Sequence, residues 1–120
     1  MLEVVAVLLR SGERFLLCQR PEQKAHGLLW EFAGGKVEPG ETKRQALARE
    51  CREELGVEIA VGEEFLELTH VYPEVAVHLT VFCAELRSGQ PQALEHRALR
   101  WVTAEKAGQL PLSPADVPIL

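Results

Sequence analysis

The chain has 120 residues, 47% of them apolar and 26% charged, and a net charge of −5. That length excludes more than one ordinary domain, and that composition excludes a disordered chain. The acidic balance excludes the basic face that a nucleic-acid duplex needs, so phosphate chemistry here would have to borrow its positive charge from metal ions.

The start, MLEVVAVLLRSG, is apolar but short, with no basic leader and no small-residue cleavage site. It reads as a strand over Glu3–Leu9 and not as a signal peptide. Ser11-Gly12-Glu13 then turns the chain into Arg14–Arg20, completing a hairpin. Pro21 to Gly27 is polar loop, with His26 as a surface residue. Leu28–Phe32 is a short strand on which Trp30 and Phe32 alternate with Glu31, so its aromatic side faces a core. It delivers the chain to a Gly34-Gly35 turn.

The helix that follows is the most informative element. Thr42 with Gln45 three residues later is a capping-box pattern, and Gly56 before Val57 is a helix stop. Between them Leu47, Cys51 and Leu55 recur every four residues as an apolar seam. Glu50, Glu53 and Glu54 fall on one flank of that seam, within roughly a 100° arc. Glu41 precedes the helix and can reach the same end, while Arg49 and Arg52 relieve part of the repulsion. Carboxylates gathered this way have raised pKa values unless a cation neutralises them, and a hard divalent ion with oxygen ligands would do so. The plainer alternative is a solvated acidic face.

Beyond the helix, Val57–Val61, Phe65–Tyr72 and Val75–Leu86 are β-rich, broken at Gly62 and at Pro73-Glu74. His70 and His78 lie in these strands as hydrogen-bonded structural groups. Ser88–Ala93 is loop, Leu99–Val102 is a last strand, and Thr103 caps a short helix. Ser113-Pro114-Ala115-Asp116 opens another helix, with serine as N-cap and the acid at N3. Cys18, Cys51 and Cys83 are far apart, without metal or redox spacing, and read as buried reduced thiols of a cytoplasmic protein. No stretch reaches the roughly 20 apolar residues of a membrane span. Mixed strands around two or three helices make an α/β or α+β sandwich, with residues 1–120 as one domain.

Gly35, five residues, Glu41, seven residues, Arg49-Glu50-Cys51-Arg52-Glu53-Glu54-Leu55-Gly56-Val57 together form the full Nudix box, so the chain resembles a Nudix hydrolase. Cys51 stands where the family more often has Ile, Leu or Val, and a buried cysteine is a small hydrophobe. The resemblance implies an α-β-α sandwich with a mixed central sheet and hydrolysis dependent on Mg2+, for which Mn2+ substitutes. It implies Glu50, Glu53 and Glu54 as metal-binding glutamates, with Glu50 also at the position often assigned as base. A carbonyl of Gly34 or Gly35 is a backbone ligand, Glu41 completes or orients the site, and Arg49 fixes a carboxylate. Glu95 is the candidate carboxylate from outside the box, as ligand, base or mere loop acid, with His96 beside it. Lys36 and Arg20 are candidates for touching the nucleotide.

LLWEFAGGKVEPGE looks like the MutT-type subgroup, which converts nucleoside triphosphates to monophosphate and pyrophosphate. Asp116, in LPLSPADVPIL, matches the Asn or Asp by which that subgroup reads a base; helix capping is the alternative role. An ionised Asp only accepts, which suits the amino group of cytosine or the donors of guanine and 8-oxoguanine. With Arg20 and Trp30–Phe32, the chain looks closest to the small pyrophosphohydrolases of CTP and modified pyrimidines, such as 5-methyl-dCTP, and to 8-oxo-dGTP diphosphatases. Another Nudix branch, such as an ADP-sugar diphosphatase, stays open through HVYP at His70–Pro73. A non-catalytic binding module is the weakest reading, because every box glutamate is present. The expected partner is a small nucleotide, without duplex or membrane; monomer or homodimer is left undetermined.

Overall fold

The computed structural model describes residues 1–119. In chain order it contains β1 (Leu2–Ser11), β2 (Arg14–Gln19), β3 (Trp30–Glu31), β4 (Gly34–Lys36), α1 (Lys43–Leu55), β5 (Glu58–Val71), β6 (Ala76–Ser88), β7 (Ala98–Val102), α2 (Ala104–Ala107) and a 3-10 helix, Pro114–Ile119.

The strands form one mixed sheet organised on β1. On one side β1 runs parallel to β6, from Leu2 opposite Val77 to Leu9 opposite Ala84. On the other side its first half pairs with β4 and its last two residues pair with β2. The sheet therefore forks. One branch carries β4, the other carries β2 with β3 and β7, and β5 lies beyond β6 at the outer edge.

Strand β1 is buried on both faces, which is why it reads as a continuous apolar run and not an alternating one. Val5, Val7 and Leu9 enter a core with Ala46, Leu47, Cys51 and Leu55 of α1. Ala6 and Leu8 enter a second core with Phe15, Trp30, Phe32, Ala107 of α2 and Ile119 of the 3-10 helix. Helices thus cover both faces of a mixed sheet, the α-β-α sandwich. Among the described residues no helix is long and apolar enough to cross a membrane.

Four local expectations need correction. Gly34-Gly35 is not a turn but the start of β4, paired with Ala6 and Val5. Gly34 has φ +155°, and a Cβ there would strike the Val5 carbonyl, so the close approach requires glycine. Leu28–Phe32 shrinks to Trp30–Glu31, because Leu28 takes a left-handed φ of +67° and its N–H bends back to the Arg20 carbonyl. Gly62 does not break β5; register shifts between Val61 and Leu66 absorb the irregularity and the strand runs on. The terminal helix is 3-10, and the Ser113 hydroxyl that was to cap it is buried without a partner among the described residues. Cys18 and Cys51 are buried free thiols, while Cys83 is only partly covered.

Helix α1 begins where expected. Gln45 N–H donates to Thr42 Oγ1 at 3.1 Å and Thr42 N–H donates to Gln45 Oε1 at 2.9 Å, the reciprocal pair of a capping box. Thr42→Ala removes one of these bonds and should cost about 1 kcal/mol. For a chain of this size that is a fall in Tm of about 4 °C. Equal melting temperatures would show that tertiary packing alone fixes the start of α1.

Candidate active site

The apolar seam of α1 decides where its acids point. With Ala46, Leu47, Cys51 and Leu55 buried, Glu50 and Glu54 lie one turn apart toward β4. The Glu50 carboxylate rests on Gly35, where a Cβ would come within 2.6 Å of its carboxyl carbon. Glu54 Oε1 accepts from the Gly34 N–H at 3.3 Å. Glu53 is one step round the helix and over half of its side chain, 54%, is exposed. The arc of three glutamates is split into an inner pair and an outer one.

Arg49 sits in the middle of this charge. Its Nε and Nη2 donate to the two oxygens of Glu41 at 2.7 and 3.0 Å. Its Nη1 donates to Glu50 at 3.0 Å and to Glu53 at 2.8 Å. Nη2 also donates to the Lys36 carbonyl at 3.0 Å. A guanidinium has five N–H groups, and all five are used. The hydrogen bond from Arg49 is the main reason the Glu41 carboxyl lies below its ordinary range, helped by the Glu38 N–H. Glu54 is left out of this arrangement. Burial first, and then the hydrogen bond and negative charge of Glu50, push its carboxyl up to about 9.

Among the described residues no three His, Cys, Asp or Glu side chains converge closely enough to hold an ion as they stand. The expected gathering is incomplete because Arg49 draws Glu41 and Glu53 to itself. The inner pair still fits a hard cation. Glu50 and Glu54 are both carboxylates, they are crowded enough to raise a proton affinity, and they lie against bare glycine backbone.

Glu54, Gly34 and Gly35 line a cavity of about 540 Å3. Asp116 lines the same cavity. Its segment is laid alongside β3 by Trp30 N–H to Pro111 O at 2.8 Å and Ser113 N–H to Trp30 O at 2.9 Å. That pairing places Asp116 Oδ2 at 3.3 Å from the Phe32 N–H. The capping role for Asp116 is not what the side chain does, since its bond goes to Phe32 and not to a helix end. Burial pushes its carboxyl up to about 7, with a further push from Glu31.

Other expected residues are distributed as follows. Phe32 is buried on Phe15, ring centroids 5.6 Å apart, and borders the cavity. Arg20 borders it too, donating to Ala25 O at 2.7 Å and to Glu31 Oε1 at 3.0 Å. Glu95 is exposed on the cavity lining. Lys36 is exposed and outside that lining; only its carbonyl takes part, through Arg49. His78 is structural as expected, bonded to Glu3 at 2.7 Å and facing Glu67 at 3.3 Å. His70 instead packs edge-on against Tyr72 at 4.5 Å.

Sequence reasoning missed Glu31, Tyr72 and the cavity position of His26. His26 has φ +56°, its ring lies 5.6 Å from that of Tyr72, and both residues line the cavity. The only signal for Glu31 was an acid between two core aromatics. His96, noted beside Glu95, bonds Glu31 Oε2 at 2.9 Å.

Comparison with known proteins places this geometry in context. A family model described as NUDIX domain matches residues 4–120. The chain is 48% identical over 120 residues to the CTP pyrophosphohydrolase of Escherichia coli (strain K12), covering all of this chain and 89% of that one. It is 32% identical over 122 residues to the 8-oxo-dGTP diphosphatase of Haemophilus influenzae, covering 99% and 88%. The fold matches the solution structure of the E. coli ORF135 protein with a TM-score of 0.86 and 48% identity, over 98% of this chain and 84% of that one.

The Glu54 environment makes stability depend on pH. A carboxyl whose folded pKa is raised from 4.5 to about 9 keeps its proton in the fold after the unfolded chain has lost it. Its contribution is therefore intact below pH 4.5 and declines as pH rises toward 9. Glu54→Gln removes that penalty while keeping an acceptor for Gly34. In EDTA, Tm of the variant relative to wild type should climb by several degrees between pH 5 and 9. A difference that stays flat across that range would mean Glu54 is ionised in the fold.

Proposed function

The chain belongs to the NUDIX domain family, and on that premise we propose that it is a MutT-type nucleoside triphosphate pyrophosphohydrolase. It is a hydrolase of phosphoric anhydride bonds in nucleotides. The reading proposed within that class is conversion of CTP or a modified pyrimidine triphosphate such as 5-methyl-dCTP, or of 8-oxo-dGTP, to the monophosphate and pyrophosphate, which clears such nucleotides from the cytoplasmic pool.

One observation carries the reading. A single cavity of about 540 Å3 is lined both by a box carboxylate, Glu54, and by a buried acceptor, Asp116. That volume is in the range of sites for small molecules, roughly 300–1,000 Å3. A nucleotide lying along it would put phosphates beside Glu54, Gly34 and Gly35 and its base beside Phe32 and Asp116.

Nudix hydrolases generally use a divalent metal. Magnesium, with manganese as substitute, is proposed on Glu50 and Glu54 with backbone oxygen from Gly34 or Gly35; Glu53 and Glu95 would join from the surface. Bound there, the ion would supply positive charge for the phosphate oxygens. Glu50 is the proposed base, held in register by Arg49 Nη1. Glu41 anchors Arg49 through a two-bond fork and so acts on the site indirectly. Arg20 would hold the nucleotide, and Lys36 would reach it only from outside the cavity.

At the base, Asp116 Oδ2 is taken by the Phe32 N–H, which leaves Oδ1 to accept from an amino or imino donor. The alternative branch, ADP-sugar hydrolysis, has one sequence pointer, Pro73 in HVYP. Pro73 lies in the β5–β6 hairpin, closed by Tyr72 N–H to Val75 O at 2.9 Å.

A panel of CTP, dCTP, 5-methyl-dCTP, dGTP, 8-oxo-dGTP and ADP-ribose with magnesium tests the reading. Pyrophosphate release from a cytosine or oxidised-guanine triphosphate is expected; preference for ADP-ribose would overturn it. EDTA should abolish turnover, and Glu54→Gln should lower it by ~100-fold or more.

Asp116→Asn tests base recognition separately. Asn offers one donor and one acceptor, so the preferred triphosphate should lose roughly ten- to a hundredfold in kcat/KM and discrimination between cytosine and guanine should relax. An unchanged ratio of the two kcat/KM values would remove Asp116 from base recognition.

A further inference from the structure

We propose that His96 and Glu31 are positioning residues that aim Arg20 into the cavity, an inference that rests on the nucleotide-hydrolase reading above. The three side chains form a bonded row. His96 Nε2 lies 2.9 Å from Glu31 Oε2, and Glu31 Oε1 accepts from Arg20 Nη1 at 3.0 Å. Exposure rises along the row, with 6% of the His96 side chain exposed, 19% of Glu31 and 26% of Arg20. The row thus has an inner anchor and an outer head. All three residues line the cavity that holds Glu54 and Asp116.

The anchor is set by backbone. Gln92 N–H donates to Leu55 O at 3.0 Å and Leu94 N–H to Glu54 O at 3.2 Å, tying the loop before β7 to the end of α1. Arg97 N–H donates to Gln19 O at 2.9 Å, tying the other side of that loop to β2. His96 is held between these points. Glu31 sits opposite Cys18 across the β2–β3 pair, and Arg20 follows the end of β2.

The chemistry gives each member one task. A carboxylate only accepts, so His96 donates from Nε2. Its other ring nitrogen, Nδ1, is buried and without a partner among the described residues. The ring's orientation therefore answers to Glu31 alone. Glu31 has a donor on each of its two oxygens. Arg20 spends Nε on Ala25 O and one N–H of Nη1 on Glu31, which leaves Nη2 to reach a nucleotide. Because the Arg20–Glu31 pair is neutral as a unit, the row contributes direction more than charge. Its effect belongs to binding.

Nothing in the row touches the reacting phosphorus, so the signature is a split between KM and kcat. Using whichever nucleotide of the panel turns over fastest, His96→Leu should raise KM roughly tenfold and leave kcat within about twofold. His96→Gln, which places an amide nitrogen near the same spot, should recover most of the loss. Arg20→Ala should raise KM by a similar factor. Combining it with His96→Leu should add little, because one acts through the other. Should His96→Leu fail to fold, Glu31→Gln, which keeps the volume of its side chain, takes its place in the same cycle with Arg20→Ala. Full additivity of the KM effects, or a loss confined to kcat, would overturn the proposal. Preference for ADP-ribose would refute the triphosphate reading alone, since the cycle is then run on ADP-ribose.

Discussion

Three glutamates share one guanidinium, and the site depends on how that sharing stops short of the fourth. Arg49 has five N–H groups and spends every one within the protein, on Glu41, Glu50, Glu53 and the Lys36 carbonyl. Replacing it by lysine would keep the charge and lose the fork. What the fork does is selective. It fixes Glu41 and steadies Glu50, but Glu54 lies against β4 and gets only the Gly34 N–H. The residual negative charge of the helix is thereby concentrated at one place, beside backbone that carries no side chain.

That placement needs the forked sheet. Strand β1 pairs with β4 over Val4–Ala6 and with β2 only at Arg10 and Ser11. Between those pairings the two branches diverge, and residues of both, Gly34 and Gly35 of β4 and Glu31 of β3, line the cavity. The branch with β4 faces α1 and brings the glycines to the glutamates. The other branch brings Glu31, and through its pairing with the terminal segment it brings Asp116. A continuous β1–β2 pairing would take the part of β1 that β4 uses and leave the acids on an ordinary helix face.

How much of this was legible in the sequence follows from how local each signal is. The bounds of α1 were readable because a capping box and a left-handed glycine act within one turn. The apolar seam was readable from spacing alone, and so was the flank that carries the acids. Which of the three glutamates turns inward was not, since that depends on where β4 lies. A three-residue strand beginning Gly-Gly has no strand signal of its own; its pairing with β1 creates it. Glu31 was passed over for a related reason. Alternation puts it opposite Trp30 and Phe32, on the side normally given to solvent, whereas here α1 and the loop before β7 cover that side. The bond between Phe32 and Asp116 spans 84 positions and has no local trace at all.

Two carboxyl groups of the cavity share a physical design. Glu54 and Asp116 are both carboxyl groups whose burial raises their proton affinity, to about 9 and about 7. Each already has one backbone N–H, from Gly34 and from Phe32, and neither has a cation of its own. A group in that condition gains most from a ligand that brings the missing positive partner, because its ionised form is stabilised only once the ligand arrives. For Glu54 the fitting partner is a divalent ion; for Asp116 it is a donor on a base. Affinity at either group is then coupled to release of a proton, and the empty site avoids holding two bare charges in a small volume. This also accounts for Arg20 being tied to Glu31. A free guanidinium in the same cavity would pair with Asp116 or Glu54, and the acceptors meant for the ligand would be filled by the protein itself.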